Sequence, residues 1–167
     1  NWRITFADTG EDAFKGARLK RVEKYIDGDT FMATYGDGVA NVDINKLVEF
    51  HNNHGKMATL TGVRPLSRFG ELVVEGNQIK KFEEKPQSEG EPINGGFFVL
   101  NRKIFDYLED RDDCDFEHGA LEKVAKDGEL MMYKHPDFWF CMDTPRDFEY
   151  LRNMWREKNT PWKLWQN

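Results

Sequence analysis

Two aspartates in short loop segments are the residues of this chain best suited to chemistry. Asp37 follows the apolar run Thr30–Tyr35 and stands between Gly36 and Gly38, so a phosphate and its metal ion could approach it closely. Asp143 directly precedes a helix start and could supply a second carboxylate. Since Mg²⁺ is usually held by one or two protein carboxylates together with substrate phosphates, the two segments predict a Mg²⁺ site. The alternative is that Asp37 only forms a turn and Asp143 only begins a helix.

Five further residues could bind a sugar phosphate beside that metal ion. Lys85 is held in an extended corner by the proline after it and could point its ammonium group at a phosphate, while Glu84 could accept hydrogen bonds from sugar hydroxyl groups. Asn94 and Gly95 open an apolar strand, where glycine is costly unless the backbone must approach another group closely. A sugar or a β-bulge would account for that, and Gly70 could line the same pocket. The competing interpretation is a solvated charged turn at Lys85.

The elements that would position these residues follow the pattern of an α/β domain. The run Thr30–Tyr35 is typical of a buried parallel strand that ends in a loop, and ligands of open α/β sheets bind at the carboxyl ends of such strands. Alternation predicts a strand over Arg3–Ala7 and a hairpin with one solvated face over Glu71–Glu84. Thr144, with a proline after it and an aspartate three positions on, is the clearest helix start.

The composition limits the kinds of partner. The chain has 167 residues, 39% of them hydrophobic, which is enough for one sizeable core, so residues 1–167 are predicted to form a single domain. A net charge of −6 with both signs interspersed provides no basic patch for nucleic acid or an anionic membrane. Small molecules are the expected partners, together with further copies of the chain in a homo-oligomer, for which the aromatic tail Pro161–Trp165 offers a contact. Cys114 and Cys141 have no motif spacing, which favours a cytoplasmic location.

Two other features carry no chemistry of their own. The chain begins neither with Met nor with a signal sequence, and we expect it to be the inside of a longer protein. His51 and His54 lie three positions apart without a third ligand at a useful spacing, so we interpret them as surface residues rather than as a zinc site.

The ordered motifs together carry a family resemblance that no single motif carries. The chain closely resembles the glucose-1-phosphate cytidylyltransferases, a branch of the sugar-nucleotide pyrophosphorylases, over essentially its whole length. The matching segments are Asp8-Thr9-Gly10, Gly16–Arg21, Tyr35–Val39, Arg68-Phe69-Gly70, Glu84-Lys85-Pro86, Ile93–Leu100, Met142–Asp147 and Pro161-Trp162-Lys163.

The resemblance implies a three-layer α/β/α fold with a mixed, mostly parallel central sheet whose N-terminal part is missing. It implies that CTP and glucose 1-phosphate give CDP-glucose and pyrophosphate with Mg²⁺, a step towards bacterial lipopolysaccharide O-antigen. By matching motifs, the catalytic residues would be Asp37, Asp143 and Lys85, and the two aspartates would hold the metal. The substrate-binding residues would be Arg18 at the nucleotide and Gly36, Gly70, Glu84, Lys85, Asn94 and Gly95 at the sugar phosphate.

The departure from the family is large at one place. The family begins with a loop of the type Gly-Gly-x-Gly-Thr-Arg that binds the triphosphate, and this loop does not occur in these residues. The chain is therefore expected to lack turnover by itself, because the leaving pyrophosphate would have no cradle of backbone N–H groups. A smaller departure is Ala17 before Arg18, where the family usually has glycine.

Three alternatives remain open at this point. The first keeps the fold and changes the substrate, giving a uridylyl-, guanylyl- or thymidylyltransferase, since the region that reads the base is absent. The second is a non-catalytic module that binds a sugar phosphate. The third is a plain α/β domain in which the motifs occur by chance.

Overall fold

The computed structural model describes residues 2–67, 69–84 and 91–165, and Lys85 lies outside the described residues. The strands are β1 (Thr30–Thr34), β2 (Gly38–Ala40), β3 (Ala58–Val63), β4 (Glu71–Glu75), β5 (Gln78–Glu83), β6 (Ile93–Asn101), β7 (Leu130–His135) and β8 (Trp139–Cys141). The α-helices are α1 (Lys15–Val22), α2 (Ile44–His54), α3 (Glu122–Lys126) and α4 (Pro145–Arg156). Shorter helical turns are Glu23–Tyr25, Arg102–Tyr107 and Phe116–Leu121.

The main sheet has the strand order β1-β6-β3-β7. Hydrogen bonds at the two ends of β1 fix its direction: the Tyr35 N–H donates to the Gly96 carbonyl at 3.1 Å, and the Arg102 N–H donates to the Asp29 carbonyl at 2.7 Å. Residues later in β1 thus pair with residues earlier in β6, so the two strands are antiparallel. The predicted α/β fold with a mixed sheet is confirmed.

Two strand predictions are wrong in part or in whole. The run Thr30–Tyr35 does form β1. Among the described residues, however, β1 is an edge strand that pairs antiparallel with β6, and its residues alternate between exposed and half-buried. The segment Arg3–Ala7 forms no strand, and Trp2 and Phe6 are both 94% exposed. An alternating segment becomes a strand only when a neighbouring strand takes up its backbone hydrogen bonds, and within the described residues no strand pairs with this one.

The chain divides into two compact units. The first unit comprises Asn1–Ala33, Asn45–Leu60 and Phe98–Met132, and the second comprises Thr34–Ile44, Thr61–Phe97 and Tyr133–Asn167. Each has its own buried side chains, and the prediction of a single domain remains a prediction. The fully buried side chains of the first unit include Leu47, Phe98, Leu100, Ile104, Phe105 and Val124, and those of the second include Val63 and Thr61.

The described part of the second unit contains two small antiparallel pairs and one helix besides its parts of the main sheet. β4 and β5 form the predicted hairpin with a bulge between Val73 and Val74, although every residue of both strands is exposed rather than those of one face. β2 pairs with β8. Helix α4 begins where predicted, with a capping box in which the Thr144 hydroxyl accepts from the Asp147 N–H and the Asp147 carboxylate accepts from the Thr144 N–H. Among the described residues, no helix is both long and apolar enough to cross a membrane.

The two histidines of α2 share the hydroxyl group of Thr59 in β3. The His54 Nδ1 accepts from the Lys56 N–H at 2.9 Å, so we assign its proton to Nε2, which donates to Thr59 Oγ1 at 2.7 Å. The Thr59 hydroxyl then donates to His51 Nδ1 at 2.9 Å. His51 is only 3% exposed, so its interpretation as a surface residue is wrong. Both rings are needed in their neutral forms, because a proton on either Nδ1 would remove an acceptor.

We expect this histidine pair to make the protein less stable in acid. Burial lowers the pKa of His51 below its ordinary value of 6.5, and the neighbouring His54 lowers it further; burial also lowers the pKa of His54. The unfolded chain therefore binds more protons than the folded chain below pH 6.5. Stability is complete above that pH and declines as the pH falls towards the folded-state pKa, by at most about 1.4 kcal/mol per pH unit for His51.

Urea unfolding measured between about pH 7.5 and about pH 5 would test this expectation, since these limits lie on either side of the ordinary histidine pKa. His51→Gln should flatten the acid limb of the stability profile. His118→Gln is the matched control: the His118 side chain is 84% exposed and its ion pair within the described residues is with the exposed carboxylate of Glu122, so its removal should change the profile little. A profile with the same slope in the His51 variant and in the unmodified chain would contradict the assignment.

Candidate metal and sugar-phosphate site

The pairing of β2 with β8 brings Asp37 and Asp143 together in the second unit. Gly38 stands opposite Cys141 in this pair, so the residue before β2 and the residues after β8 leave the ladder at the same end. The ladder is extended there by the Met142 N–H, which donates to the Asp37 carbonyl at 2.8 Å. Two loop carboxylates far apart in sequence thereby become neighbours.

The ligand atoms of Asp37, Asp143 and Cys141 lie within 4.8 Å of one another. Both aspartates are exposed and the cysteine is half-buried. The Cys141 Sγ donates a hydrogen bond to Asp143 Oδ1 at 3.0 Å. Burial first, and then this hydrogen bond and the nearby carboxylates, raise the pKa of the Cys141 thiol to about 12, so at neutral pH it is a protonated donor rather than a thiolate.

This donor set fits a hard divalent cation. Two carboxylates offer oxygen ligands on an open surface where substrate phosphates could complete the coordination, as Mg²⁺ requires. Soft metal ions prefer sites built from several thiolate ligands, and this cluster has a single cysteine beside two carboxylates. The residues present therefore fit the cation that the sequence predicts at Asp37 and Asp143.

The glycine pair of β6 borders the same loop. A Cβ atom on Gly38 would lie 3.9 Å from the Gly95 carbonyl oxygen, and that oxygen accepts a hydrogen bond from the indole N–H of Trp139 at 2.8 Å. A Cβ atom on Gly95 itself would lie 2.7 Å from a methyl group of Val63 and 3.0 Å from the Thr61 carbonyl oxygen. Close approach of β3 is sufficient reason for glycine at this position, and contact of Gly95 with a sugar remains a prediction.

Asn94 is engaged with its own strand and with Tyr35. Its Oδ1 accepts from the Gly96 N–H at 2.9 Å, and its Nδ2 donates to the Tyr35 hydroxyl at 3.3 Å. These bonds fix the position of the amide group beside the loop of Asp37. Contact of Asn94 with a sugar remains a prediction, and such a contact would have to share or replace one of these bonds.

The structure brings two other predicted residues together at the end of the hairpin. A Cβ atom on Gly70 would lie 3.1 Å from Glu84 Oε2 and 2.8 Å from the ring of Phe82, so Gly70 and Glu84 are neighbours. Among the described residues other than its two chain neighbours, none has an atom within 4 Å of the Cβ position of Gly36, which leaves open space beside Asp37. Lys85, the predicted third catalytic residue, lies outside the described residues.

Arg18 belongs to the first unit and binds the segment before its own helix. Its Nε donates to the Ala13 carbonyl at 2.7 Å, and its two terminal nitrogens donate to Thr9 Oγ1 at 3.0 Å and the Glu11 carbonyl at 2.9 Å. All three guanidinium nitrogens thus order residues 9–13. The predicted nucleotide contact of Arg18 remains a prediction, and in this structure the side chain shapes a loop.

Cys141 and Trp139 belong to the site through their hydrogen bonds but were not predicted from the sequence. Cys141 was considered only for its motif spacing, which it lacks, and Trp139 was not singled out. A usable signal existed for Cys141: in an extended segment residues i and i+2 point to the same side, so a cysteine two positions before a predicted metal ligand stands beside it. Trp139 had no comparable local signal, because its partner Gly95 is distant in sequence.

Comparisons with known proteins show what the chain is similar to in sequence and in fold. The family model described as "Nucleotidyl transferase" matches residues 11–156. Glucose-1-phosphate cytidylyltransferases from Salmonella typhi and Salmonella typhimurium are each 47% identical to this chain over 166 residues, which cover 99% of this chain and 64% of each relative. The crystal structure of UDP-glucose pyrophosphorylase complexed with UDP-glucose superposes with a TM-score of 0.65 at 14% identity, over 92% of this chain and 66% of that one. The chain thus spans just under two thirds of the length of these cytidylyltransferases.

Proposed function

Since this chain belongs to the nucleotidyl transferase family, we propose that it forms the metal and sugar-phosphate part of an enzyme that makes CDP-glucose and pyrophosphate from CTP and glucose 1-phosphate. The observation that carries the proposal is the placement of Asp37 and Asp143 side by side in a chain 47% identical to glucose-1-phosphate cytidylyltransferases. The resemblance predicted from the motifs is confirmed by that identity. The choice of cytosine and glucose rests on the relatives.

The reaction needs positioning and charge neutralisation rather than a covalent intermediate with the enzyme. An oxygen of the sugar phosphate attacks the α-phosphorus of CTP in line, and pyrophosphate leaves. Nucleotidyl transferases generally use a divalent metal ion, and we propose Mg²⁺ here, which would neutralise charge on the reacting phosphates when bound. Asp37 and Asp143 would hold it.

The remaining residues of the second unit would bind and orient the acceptor. Glu84, beside Gly70, would accept hydrogen bonds from sugar hydroxyl groups, and Lys85 would neutralise the sugar phosphate. Asn94 would present its amide from a position fixed by Tyr35. The open space beside Gly36 would let a phosphate approach Asp37.

We also propose that the protein self-associates and acts in the cytoplasm. At the aromatic tail, Trp162 packs on Phe138 with ring centroids 5.4 Å apart, while Leu164 and Trp165 remain 61% and 60% exposed. Exposed apolar side chains at the end of a packed tail are suited to a contact with a second copy. The cytoplasmic proposal is supported by Cys114 and Cys141, neither of which is in a disulfide.

Calorimetric titration with glucose 1-phosphate would test the proposal on the chain itself. Binding is expected with Mg²⁺ present and should weaken by about tenfold or more when EDTA removes the cation. Asp143→Asn should weaken the Mg²⁺-dependent binding similarly. Asp137→Asn, which changes an exposed aspartate outside the cluster, is the matched control and should bind as the unmodified chain does.

The same titration separates the alternatives. Binding of glucose 1-phosphate that does not depend on Mg²⁺ would indicate a sugar-phosphate module without the metal chemistry, and an absence of binding would contradict the proposal. The preference for one nucleotide base is measured as product formation by the longest natural polypeptide that contains these residues. CTP should be used in preference to UTP, GTP and dTTP, and preference for another triphosphate would overturn the cytidylyl assignment while leaving the nucleotidyl transfer in place.

A further inference from the structure

Cys141 is the last residue of β8 and contacts Asp143, one of the two predicted metal ligands. Its thiol donates to Asp143 Oδ1 at 3.0 Å, and its backbone is fixed opposite Gly38 in the pair of β2 with β8. The donor is therefore held by the same ladder that places Asp37, so its position relative to both carboxylates is set by backbone pairing.

The two carboxylates need such a restraint because they repel each other. Their ligand atoms lie within 4.8 Å, and like charges at this separation favour side-chain rotations that move them apart. The backbone of Asp37 is tied by the Met142 N–H at 2.8 Å. The carboxylate of Asp143 is restrained by a hydrogen bond from the thiol, and hydrogen bonds to an ionised acceptor are stronger than those between neutral groups.

We propose that Cys141 is a positioning residue for the metal site, whose thiol holds the Asp143 carboxylate beside Asp37 so that both can bind one divalent cation. The proposal rests on the proposed function, since it assigns a role within the same site. Cys141 itself does not ligate the cation or contact substrate. Its role is to reduce the ordering that the carboxylate must undergo when the cation binds.

Two substitutions separate hydrogen bonding from packing. Cys141→Ser keeps a donor on the same Cβ atom, and Cys141→Val fills a similar volume without a donor. If the thiol acts by its hydrogen bond, the serine variant should behave as the unmodified chain and the valine variant should not. If the side chain only fills space, valine should be the better replacement.

Mn²⁺ is a suitable probe because it prefers the same oxygen ligands as Mg²⁺ and its binding can be followed by water-proton relaxation without any catalytic activity. The unmodified chain and Cys141→Ser should bind Mn²⁺ with dissociation constants that agree within about threefold, and Cys141→Val should bind about tenfold more weakly. Asp143→Asn should lose most of the binding. Thermal unfolding of each variant, recorded in EDTA, checks that the fold is retained.

Equal Mn²⁺ affinity in the unmodified chain and in Cys141→Val would overturn the positioning role and leave the proposed function standing. Equal weakening in the serine and valine variants would also overturn it, because the effect would then follow the change of side chain rather than the loss of a donor. An unmodified chain that binds no Mn²⁺ would overturn the metal site and the positioning role together.

Discussion

Asp37→Asn is expected to reduce Mg²⁺-dependent formation of CDP-glucose on the order of a hundredfold or more, the scale seen when one preorganised electrostatic group is removed from an active site. The assay uses the longest natural polypeptide that contains these residues, because the chain covers 64% of the length of its relatives. An asparagine occupies the same volume as the aspartate but offers the cation only a neutral amide oxygen. The loss should therefore appear in metal-dependent turnover.

The folding stability should change little, and this distinguishes a ligand from a structural residue. Asp37 is exposed and lies within 4.8 Å of the Asp143 ligand atom, so removing its charge relieves a repulsion. In EDTA the free energy of unfolding should stay within about 0.5 kcal/mol of the unmodified value or rise slightly. Excess Mg²⁺ with glucose 1-phosphate should raise the unfolding temperature of the unmodified chain, because ligands that bind only the folded state stabilise it.

Asp137→Asn provides the control, since it removes one exposed carboxylate of the second unit away from the cluster. It should retain both turnover and the stabilisation by Mg²⁺ with glucose 1-phosphate. Normal turnover in Asp37→Asn would refute the assignment of Asp37 as a metal ligand. A large loss of stability in EDTA would show instead that the carboxylate supports the loop.

Local signals in the sequence were sufficient for some elements and not for others. The start of α4 was predicted in detail because its cap, proline and acidic residue lie within four consecutive positions, and the capping box forms as expected. The hairpin of β4 and β5 was likewise predicted from alternation around a turn. Both elements depend on contacts between residues that are close in sequence.

The site depends on contacts that no local pattern contains. The sequence identified Asp37 and Asp143 as candidates, but their proximity comes from the pairing of β2 with β8, two short strands separated by most of the chain. For the same reason β1 was predicted to be a buried strand, although among the described residues it pairs only with β6 and every second side chain is exposed. Strand order is a tertiary property, and burial follows from it.

The need for glycine at position 96, the second glycine of β6, also depends on a contact that no local pattern contains. Gly96 has a φ of +78°, which residues with a Cβ atom rarely adopt, and a Cβ atom there would lie 2.7 Å from the ring of Tyr35. Gly96→Val is therefore expected to destabilise the protein by about 3 kcal/mol or more, since backbone strain and an overpacked contact add. Urea unfolding of the purified variant measures this directly.

Two further substitutions divide that loss into its causes. Gly76, at the tip of the hairpin, has a φ of +58°, but no described residue apart from its chain neighbours has an atom within 4 Å of its Cβ position, so Gly76→Ala measures backbone strain without a clash. Its cost should be about 1–2 kcal/mol, and Gly96→Ala should cost more. When Gly96→Ala is added to Tyr35→Ala, its cost in unfolding free energy should be smaller than in the unmodified chain, because the ring that the new Cβ atom meets is gone. If Gly96→Ala costs no more than Gly76→Ala, then the contact with Tyr35 does not determine the need for glycine at position 96, and the positive φ alone accounts for it.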